Sequence, residues 1–473
     1  MKLKNYLLAG TAIMTLSLTT ACSNEDPLSD INEDNTEKPG NGNSNNGNDI
    51  NSSTIVWPAD TIVELENHYV VPEGKSLIIK EGAQIIVSSE GVGANQLPIE
   101  FTVKGNLYCE GTAEKPIRFS LKESERTNDN IFAGKWGGIV ATSTCREMLI
   151  DHTIIEYTGG EVIEGAPAVT AGIYEAGEDM YPQITTTNPN GKYVISNSIL
   201  RNGKSDAIYM MGGQAIIMNN LFVANGETGE EAVNVKSGCQ VDVAGNVMFA
   251  PNTNGLKLSS SDQSEVRLQA KIQAYNNTII NAGWRRDSDK GGCIYAQENV
   301  SVHVFNNLMV NCKFRAMTPD LDNLANIEGG YDAANSVIDY NYYASGNQKV
   351  DGNYVYERGI EYSWEGYNYT EDGKPFEDYD VERVDKNSII ATQTDSKDPM
   401  FINFPINDVP LTEYIYTETW DFHVQAGSPV LTGAYNGSEA HMAPYFETEG
   451  LTINGKNYTS PKVEAHFGAY GTK

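Results

Sequence analysis

The sequence predicts an all-β chain wound as a right-handed parallel β-helix, a solenoid preceded by a disordered N-terminal tether. Three observations predict it. A phrase of apolar residues around an asparagine recurs between Tyr193 and Gly346, with its asparagines 23, 26, 31, 30 and 34 residues apart. That spacing suits one supersecondary unit of a stacked array and is too loose for helix-pair repeats. A second phrase of one small residue followed by alternating apolar residues comes after each of the first four. Short runs of this kind, separated by Gly, Asn and Ser, read as strands and corners rather than helices.

The chain opens with Met1-Lys2-Leu3-Lys4, an apolar run from Tyr6 to Leu18, and Thr19-Thr20-Ala21-Cys22. This is the build of a secretory signal peptide over residues 1–21, too short for a membrane span. From 22 to 54 the chain is Asn, Gly, Ser, Asp and Glu with little apolar content, so burial cannot offset its ordering entropy and a flexible linker is expected. Residues 55–346 form the body of the solenoid, 347–392 a tyrosine-rich excursion and 393–473 the closing turns and C-terminal cap. The formal net charge of -30 becomes -32 once Lys2 and Lys4 leave, which argues against nucleic acid as a partner. Five cysteines remain beside Cys22, an odd number without a CxxC pair. They are expected to be small buried core residues.

The repeated phrases are Val194 to Ile199 around Asn197, Ile217 to Phe222 around Asn220 and Val243 to Met248 around Asn246; they continue around Asn277, Asn307 and Asn341. Three places before each asparagine stand Val194, Ile217, Val243, Ala274, Val304 and Ile338; two places after it stand Ile199, Phe222, Met248, Ile279, Met309 and Tyr343. Both columns would be buried by stacking, with the asparagines at a corner where they bond backbone and one another as an amide ladder. A second strand follows as Ala207-Ile208-x-Met210, Ala232-Val233-x-Val235, Gly255-Leu256-x-Leu258 and Cys293-Ile294-x-Ala296.

Val71-Pro72-Glu73-Gly74-Lys75-Ser76-Leu77, Gly111-Thr112-Ala113-Glu114-Lys115-Pro116-Ile117, Trp136-Gly137-Gly138-Ile139 and Asp151-His152-Thr153-Ile154-Ile155 follow one another at the front of the folded part. This series resembles the opening turns of right-handed parallel β-helix proteins of the pectin-lyase-like class. Asp398-Pro399-Met400-Phe401, Gly427-Ser428-Pro429-Val430 and His466-Phe467-Gly468-Ala469-Tyr470 resemble its closing turns. Ala21-Cys22 followed by Glu25 and Asp26 resembles the signal of Bacteroidetes surface lipoproteins. That resemblance implies acylation of Cys22, anchoring in the outer membrane through it, and display at the cell surface.

Loops of unequal length between the asparagine and the next strand collect on one side, which in solenoids is commonly the binding face. They carry Arg201, Lys204, Asp206, Glu227, Glu230, Glu231, Trp284, Arg285, Arg286, Asp287, Asp289, Lys290, Lys313 and Arg315. Lyases of uronic-acid polysaccharides on this fold use Lys or Arg as the base, with Ca²⁺ or basic groups neutralising the acid, so Arg285, Arg286, Asp287, Asp289 and Lys290 are candidate catalytic residues. A solvated loop of mutually paired charges is the simpler account of them. No Asp-Asp pair or Gly-His-Gly phrase of the polygalacturonase kind is present. Asp287-Ser288-Asp289 lacks the glycine and distal glutamate of a hand-type Ca²⁺ loop, so neither metal nor cofactor is expected, Ca²⁺ entering only with a lyase. Tyr342, Tyr362, Trp364, Tyr367 and Trp284 are candidate sugar platforms, since flat rings stack on pyranose faces; packing of the excursion explains them as well.

Three functions stay open. The first is a monomeric, non-catalytic surface protein binding extracellular polysaccharide or another surface protein. The second is a polysaccharide lyase or glycoside hydrolase acting on acidic polysaccharide. The third is a structural or adhesive spacer.

Overall fold

The structure, a computed structural model, describes residues 53–473 apart from 178–179, 228, 287–290, 314–329, 347–352, 356–360, 366–367, 372–373, 376–383 and 393, with backbone alone between 353 and 375. Cys22, the signal segment and nearly all of the linker lie outside the described residues.

Three parallel sheets of ten, eleven and eight strands run through the described residues. One turn shows how they arise. Gly213–Met218 belongs to the first sheet, Leu221–Val223 to the second and Val233–Val235 to the third, after which Cys239–Ala244 returns to the first and pairs in parallel with Gly213–Met218. The fold is thus an all-β, parallel, solenoid-like coil. Each asparagine-centred phrase is itself two strands meeting at a corner, so a turn holds three strands, one more than the sequence reading expects.

Side chains alternate across each strand, and the inward set stacks into columns. Leu107, Met148, Tyr193, Ala215, Val241, Ile272 and Val302 are partners on successive strands of the first sheet and all fully buried. Ile208, Val233, Leu256 and Ile294 do the same in the third. The Tyr193 ring fits because Gly213 follows it on the next turn at φ +112°, where a Cβ would stand 2.3 Å from the ring. The five described cysteines are buried and none is disulfide-bonded.

At the corner between the first and second sheets, two residues per turn have separate tasks. His152, Asn197, Asn219, Gly245, Asn276, Asn306 and Tyr340 take left-handed backbone, φ 45° to 69°. Asparagine and glycine tolerate this conformation best. The next residue carries the ladder. The backbone N–H of Ser198 donates to Asn220 Oδ1 (2.9 Å), that of Asn220 to Asn246 (2.9 Å), Asn246 to Asn277 (3.1 Å), Asn277 to Asn307 (3.0 Å) and Asn307 to Asn341 (3.2 Å). Each amide Nδ2 then donates to a carbonyl of the preceding turn, as Asn277 does to Val243 O at 2.9 Å.

The first phrase therefore needs a correction of one residue. Asn197 stands in the left-handed column and is exposed, while Ser198 occupies the ladder position, its hydroxyl accepting from Thr153 N. A slip of one residue exchanges faces. Ile195 and Leu200, not Val194 and Ile199, point into the interior there.

Residues after Asp398 add no strand to the three sheets. Only Ile389–Ile390 continues the second sheet, paired with Tyr342–Ala344. The backbone between these two strands forms a four-stranded antiparallel sheet of Asn353–Val355, Glu361–Glu365, Asn368–Glu371 and Lys374–Pro375. The segment expected to form closing turns instead lies along the outside of the coil. Phe401, Phe404, Phe422, Val430 and Phe467 pack on Val223, Phe249, Ile280 and Tyr342 outside the second sheet. Phe446, Leu451 and Ile453 pack on Tyr108, Leu149, Val194 and Ile216 outside the first. Polar clasps fix this strap: Asp242 accepts from Tyr445 N (3.1 Å), Phe446 N (2.9 Å) and Ser460 Oγ (2.6 Å), and Asn306 Nδ2 donates to Tyr435 O (2.7 Å). Arg201 bridges Glu156 (2.7 Å) and Glu418 (3.0 Å).

Two predictions follow from the corner and the clasp. Asn277→Ala orphans the Val243 carbonyl and the Asn246 N–H at once, a cost of roughly 1–3 kcal/mol for each buried group. Chemical unfolding should therefore show a loss of about 3–5 kcal/mol, against about 1–2 kcal/mol for Asn197→Ala, where the left-handed preference and an exposed hydrogen bond to Asp151 Oδ1 are lost. Burial pushes the Asp242 carboxyl up to about 6, beyond what its three donors can offset. The fold thus binds a proton more tightly than the unfolded chain, and that stabilisation, complete below about pH 4, is lost as pH rises through about 6. Urea midpoints measured from pH 4 to 7 should fall for the wild type relative to Asp242→Asn, and parallel curves would refute the assignment.

Candidate functional site on the outer face of the third sheet

The strap covers the outside of the first and second sheets. Its apolar clusters take their coil residues from those two sheets and their corners. On the third sheet a different segment, with Val162, Ala166, Ala168, Tyr174 and Tyr181, packs against Val140 on the early turns. Of the four later strands, Ile208–Met210 borders that segment, the Tyr209 ring centre lying 6.5 Å from that of Tyr174, while Val233–Val235, Asn254–Ser259 and Gly292–Gln297 are joined to neither cluster. Their outward residues form one register column: Tyr209, Asn234, Lys257 and Tyr295. Tyr209, Lys257 and Tyr295 are half-exposed, whereas Asn234 is buried.

Just before these strands, the corner positions Asp206, Glu231 and Asn254 stack on successive turns, since Ala207 N donates to Glu231 O and Ala232 N to Asn254 O. Their side chains form one hydrogen-bonded group. Asp206 Oδ1 accepts from Glu231 N at 2.5 Å, and Asn234 Nδ2 donates to Asp206 Oδ2 and to Glu231 Oε2, both at 3.3 Å. Asn254 Nδ2 donates to Glu231 Oε1 at 3.1 Å. Burial pushes the Asp206 carboxyl well above the usual carboxylate range, and the adjacent Glu231 charge adds to it. The two carboxyls are hydrogen-bonded to each other. Burial also raises Glu230. Lys236, whose Nζ lies 5.6 Å from the centre of the Tyr209 ring, is lowered by burial and by Lys257 beside it.

The Oδ1 atoms of Asn234 and Asn254 are buried without a hydrogen-bond partner, as is the hydroxyl of Thr253. Acceptors lacking a donor thus lie just beneath this face, beside two rings spaced along the same column. Among the described residues no group of three or more His, Cys, Asp or Glu side chains is placed to hold a metal ion.

The basic residues expected to do chemistry are placed otherwise. Arg285 donates to Gly226 O (2.8 Å), Asn225 O (3.2 Å) and Ala250 O (2.9 Å), and its guanidinium stacks over Phe132 at 4.7 Å and Tyr414 at 5.7 Å. Burial lowers it only to about 10, so it stays protonated at neutral pH and ties the corner to the strap. It is a fastener, not a free base. Lys313 donates to Arg286 O at 3.1 Å. Arg286 approaches Gly229 and the field of Glu230. Asp287, Asp289, Lys290 and Arg315 lie outside the described residues, as does Tyr367; of Tyr362 and Trp364 only the backbone is described.

Of the ring candidates, Tyr342 is fully buried on the outward side of the second sheet beneath Phe467, 5.3 Å between centres, so it presents no face to a ligand. Trp284 is half-buried, its indole N–H donating to Asn311 O. From the expected loop face the structure brings together Asp206, Glu230 and Glu231. It adds Tyr209, Asn234, Lys257 and Tyr295, each the unassigned position of a small-apolar-x-apolar phrase. Reading those four positions as one outward column would have found them.

No protein-family model, curated protein or solved structure matches this chain.

Proposed function

We propose that this chain is a surface lipoprotein, acylated at Cys22 and held at the outer membrane, whose coil binds extracellular glycan on the outer face of its third sheet without catalysis. The observation that carries the binding reading is the Tyr209–Asn234–Lys257–Tyr295 column beside the acceptor cluster, where among the described residues neither apolar cluster extends over the turns after Tyr209. Sugars present ring faces and hydroxyls together, and this column offers aromatic rings and amide and carboxyl oxygens at the repeat of the strands, about 4.8 Å per turn. An extended polymer running along the coil axis meets the same chemistry at each step.

The coil is read as right-handed and of the pectin-lyase-like class, since strand–crossover–parallel strand connections take that hand in nearly all proteins. The anchoring reading rests on the Ala21-Cys22 signal and on a low-complexity linker able to hold the coil away from a membrane surface. The net charge of -30 supports a monomeric surface protein with no nucleic-acid partner. Binding is favoured over the lyase and hydrolase readings because Arg285 is committed to three carbonyls and because Asp206 and Glu231 are hydrogen-bonded to each other. It is favoured over a plain spacer because a spacer gains nothing from buried, unpartnered amide oxygens.

Two tests address this reading. In affinity electrophoresis through glycan-loaded gels, Tyr209→Ala with Tyr295→Ala should weaken retention about 30-fold, taking roughly 1 kcal/mol for each stacked ring. Ultraviolet absorbance from unsaturated uronides should stay flat with and without Ca²⁺. Retention lost instead on Trp364→Ala with Tyr367→Ala would move the contact to the tyrosine-rich excursion, and rising absorbance would make the chain a lyase. For the anchor, metabolic labelling with a fatty acid should mark the wild type and leave Cys22→Ser unlabelled and released from the membrane fraction.

A further inference from the structure

The acceptor cluster also bears on which glycan the third sheet takes. We infer that the ligand is a neutral, hydroxyl-rich polysaccharide whose hydroxyl groups donate to Asn234 and Asn254, and not a uronic-acid polymer. This rests on the glycan-binding reading above and sharpens it.

The first ground is the direction of the missing hydrogen bonds. Asn234 and Asn254 are 4% and 3% exposed, and each spends its Nδ2 on a carboxylate while its Oδ1 has no partner. What the group lacks is donors. A sugar hydroxyl supplies one; a uronate carboxylate supplies only further acceptors. Leaving such atoms unpaired costs roughly 1–3 kcal/mol each, so a ligand that satisfies both gains from a penalty the free protein already carries.

Charge is the second ground. The cations beside the column are Lys236, Lys257 and Arg286; facing them are Asp206, Glu231, Glu230 and Glu298. Among the described residues three cations thus meet four carboxyl groups, and no positive surplus remains to neutralise a row of uronates. Sites for acidic chains need such a surplus, since each buried carboxylate must be answered. The third ground is adjustability. Lys236 and Lys257 border the column on long flexible stems, so a chain settling on the rings can displace them and reach the amides.

Matched polymers separate the possibilities. The full-length exported protein is run through gels containing polygalacturonate, alginate or hyaluronan, and through gels of each polymer after carbodiimide–borohydride reduction of its carboxylates to primary alcohols. Neutral glucan, xylan and mannan gels complete the set. At least tenfold stronger retention on neutral or reduced polymers than on their acidic parents is expected. Asn234→Ala and Asn254→Ala should each remove most of it while circular dichroism stays near wild type, although the unfolding midpoint falls because Glu231 loses a buried donor in each. Equal or stronger retention on the uronates overturns the neutral-ligand inference but leaves glycan binding standing. Retention unchanged in both asparagine variants overturns the assignment to this cluster, and Asn234→Asp, which keeps size and acceptors, checks any variant that fails to fold. Retention on none of the gels overturns the glycan reading itself.

Discussion

Everything in this coil depends on keeping successive turns in register at one corner. A parallel stack has no hairpin to set its alignment, and a slip of one residue would turn each inward side chain outward. The corner between the first and second sheets prevents this with two adjacent positions. One takes left-handed backbone, which fixes where the chain bends. The next presents a side-chain oxygen that accepts from both the backbone N–H and the side-chain amide of the preceding turn's residue. Because that amide also donates to a carbonyl one turn back, a slipped register would bury several unpaired polar groups together. The ladder specifies alignment more than it adds gross stability, since each net hydrogen bond is worth only about 1 kcal/mol while its loss costs more.

A coil aligned this way still presents three outer faces, two of them apolar along much of their length. The C-terminal strap resolves two. Its aromatic residues lie over Val223, Phe249 and Tyr342 on one side and over Tyr108, Val194 and Ile216 on another. It is held by groups that the coil places outward at regular intervals: Asp242, Asn276, Asn306 and Arg201. Asn276 and Asn306 belong to the left-handed column, so the corner that sets the register also supplies the strap with its anchors. The third sheet's later turns are polar where the others are apolar, and there the outward column of tyrosines, amide and lysine begins.

Much of the architecture was legible in the sequence because stacking repeats chemistry. Asn220, Asn246, Asn277, Asn307 and Asn341 form the ladder as their spacing suggests, and Ile208, Val233, Leu256 and Ile294 line one inner column. Asn197 misled because asparagine serves both corner positions. Where the ladder residue is Ser198, the only asparagine in view belongs to the neighbouring column, and residue type alone cannot tell an Oγ acceptor from an Oδ1 acceptor. The strap was unreadable for another reason. Its residues answer to faces distant in sequence, as Phe446 and Tyr435 do to Asp242 and Asn306, 204 and 129 residues away, so no local period marks it. Tyr342 failed as a platform by the same route, since only Phe467 decides whether that ring meets solvent. Arg285 looked available because charge in a loop suggests exposure, yet the carbonyls of Asn225, Gly226 and Ala250, where strands end at the second corner, give a guanidinium better partners than water.

The coil's own repeat constrains what its carboxyls can do. Side chains at one position on adjacent turns stand about 4.8 Å apart, and those two turns apart about twice that. Retaining glycoside hydrolysis needs two carboxyls about 5–5.5 Å apart and the inverting reaction about 6.5–9.5 Å, so adjacent turns suit the first and alternate turns come near the second. In this chain the adjacent pair, Asp206 and Glu231, turn toward each other and hydrogen-bond, which brings their oxygens closer than a sugar ring's reacting carbon can enter. The partner two turns from Asp206 is Asn254, an amide that can neither activate water nor donate a proton as an acid. At this corner both spacings are thus spent on hydrogen bonding rather than on a separate acid and base.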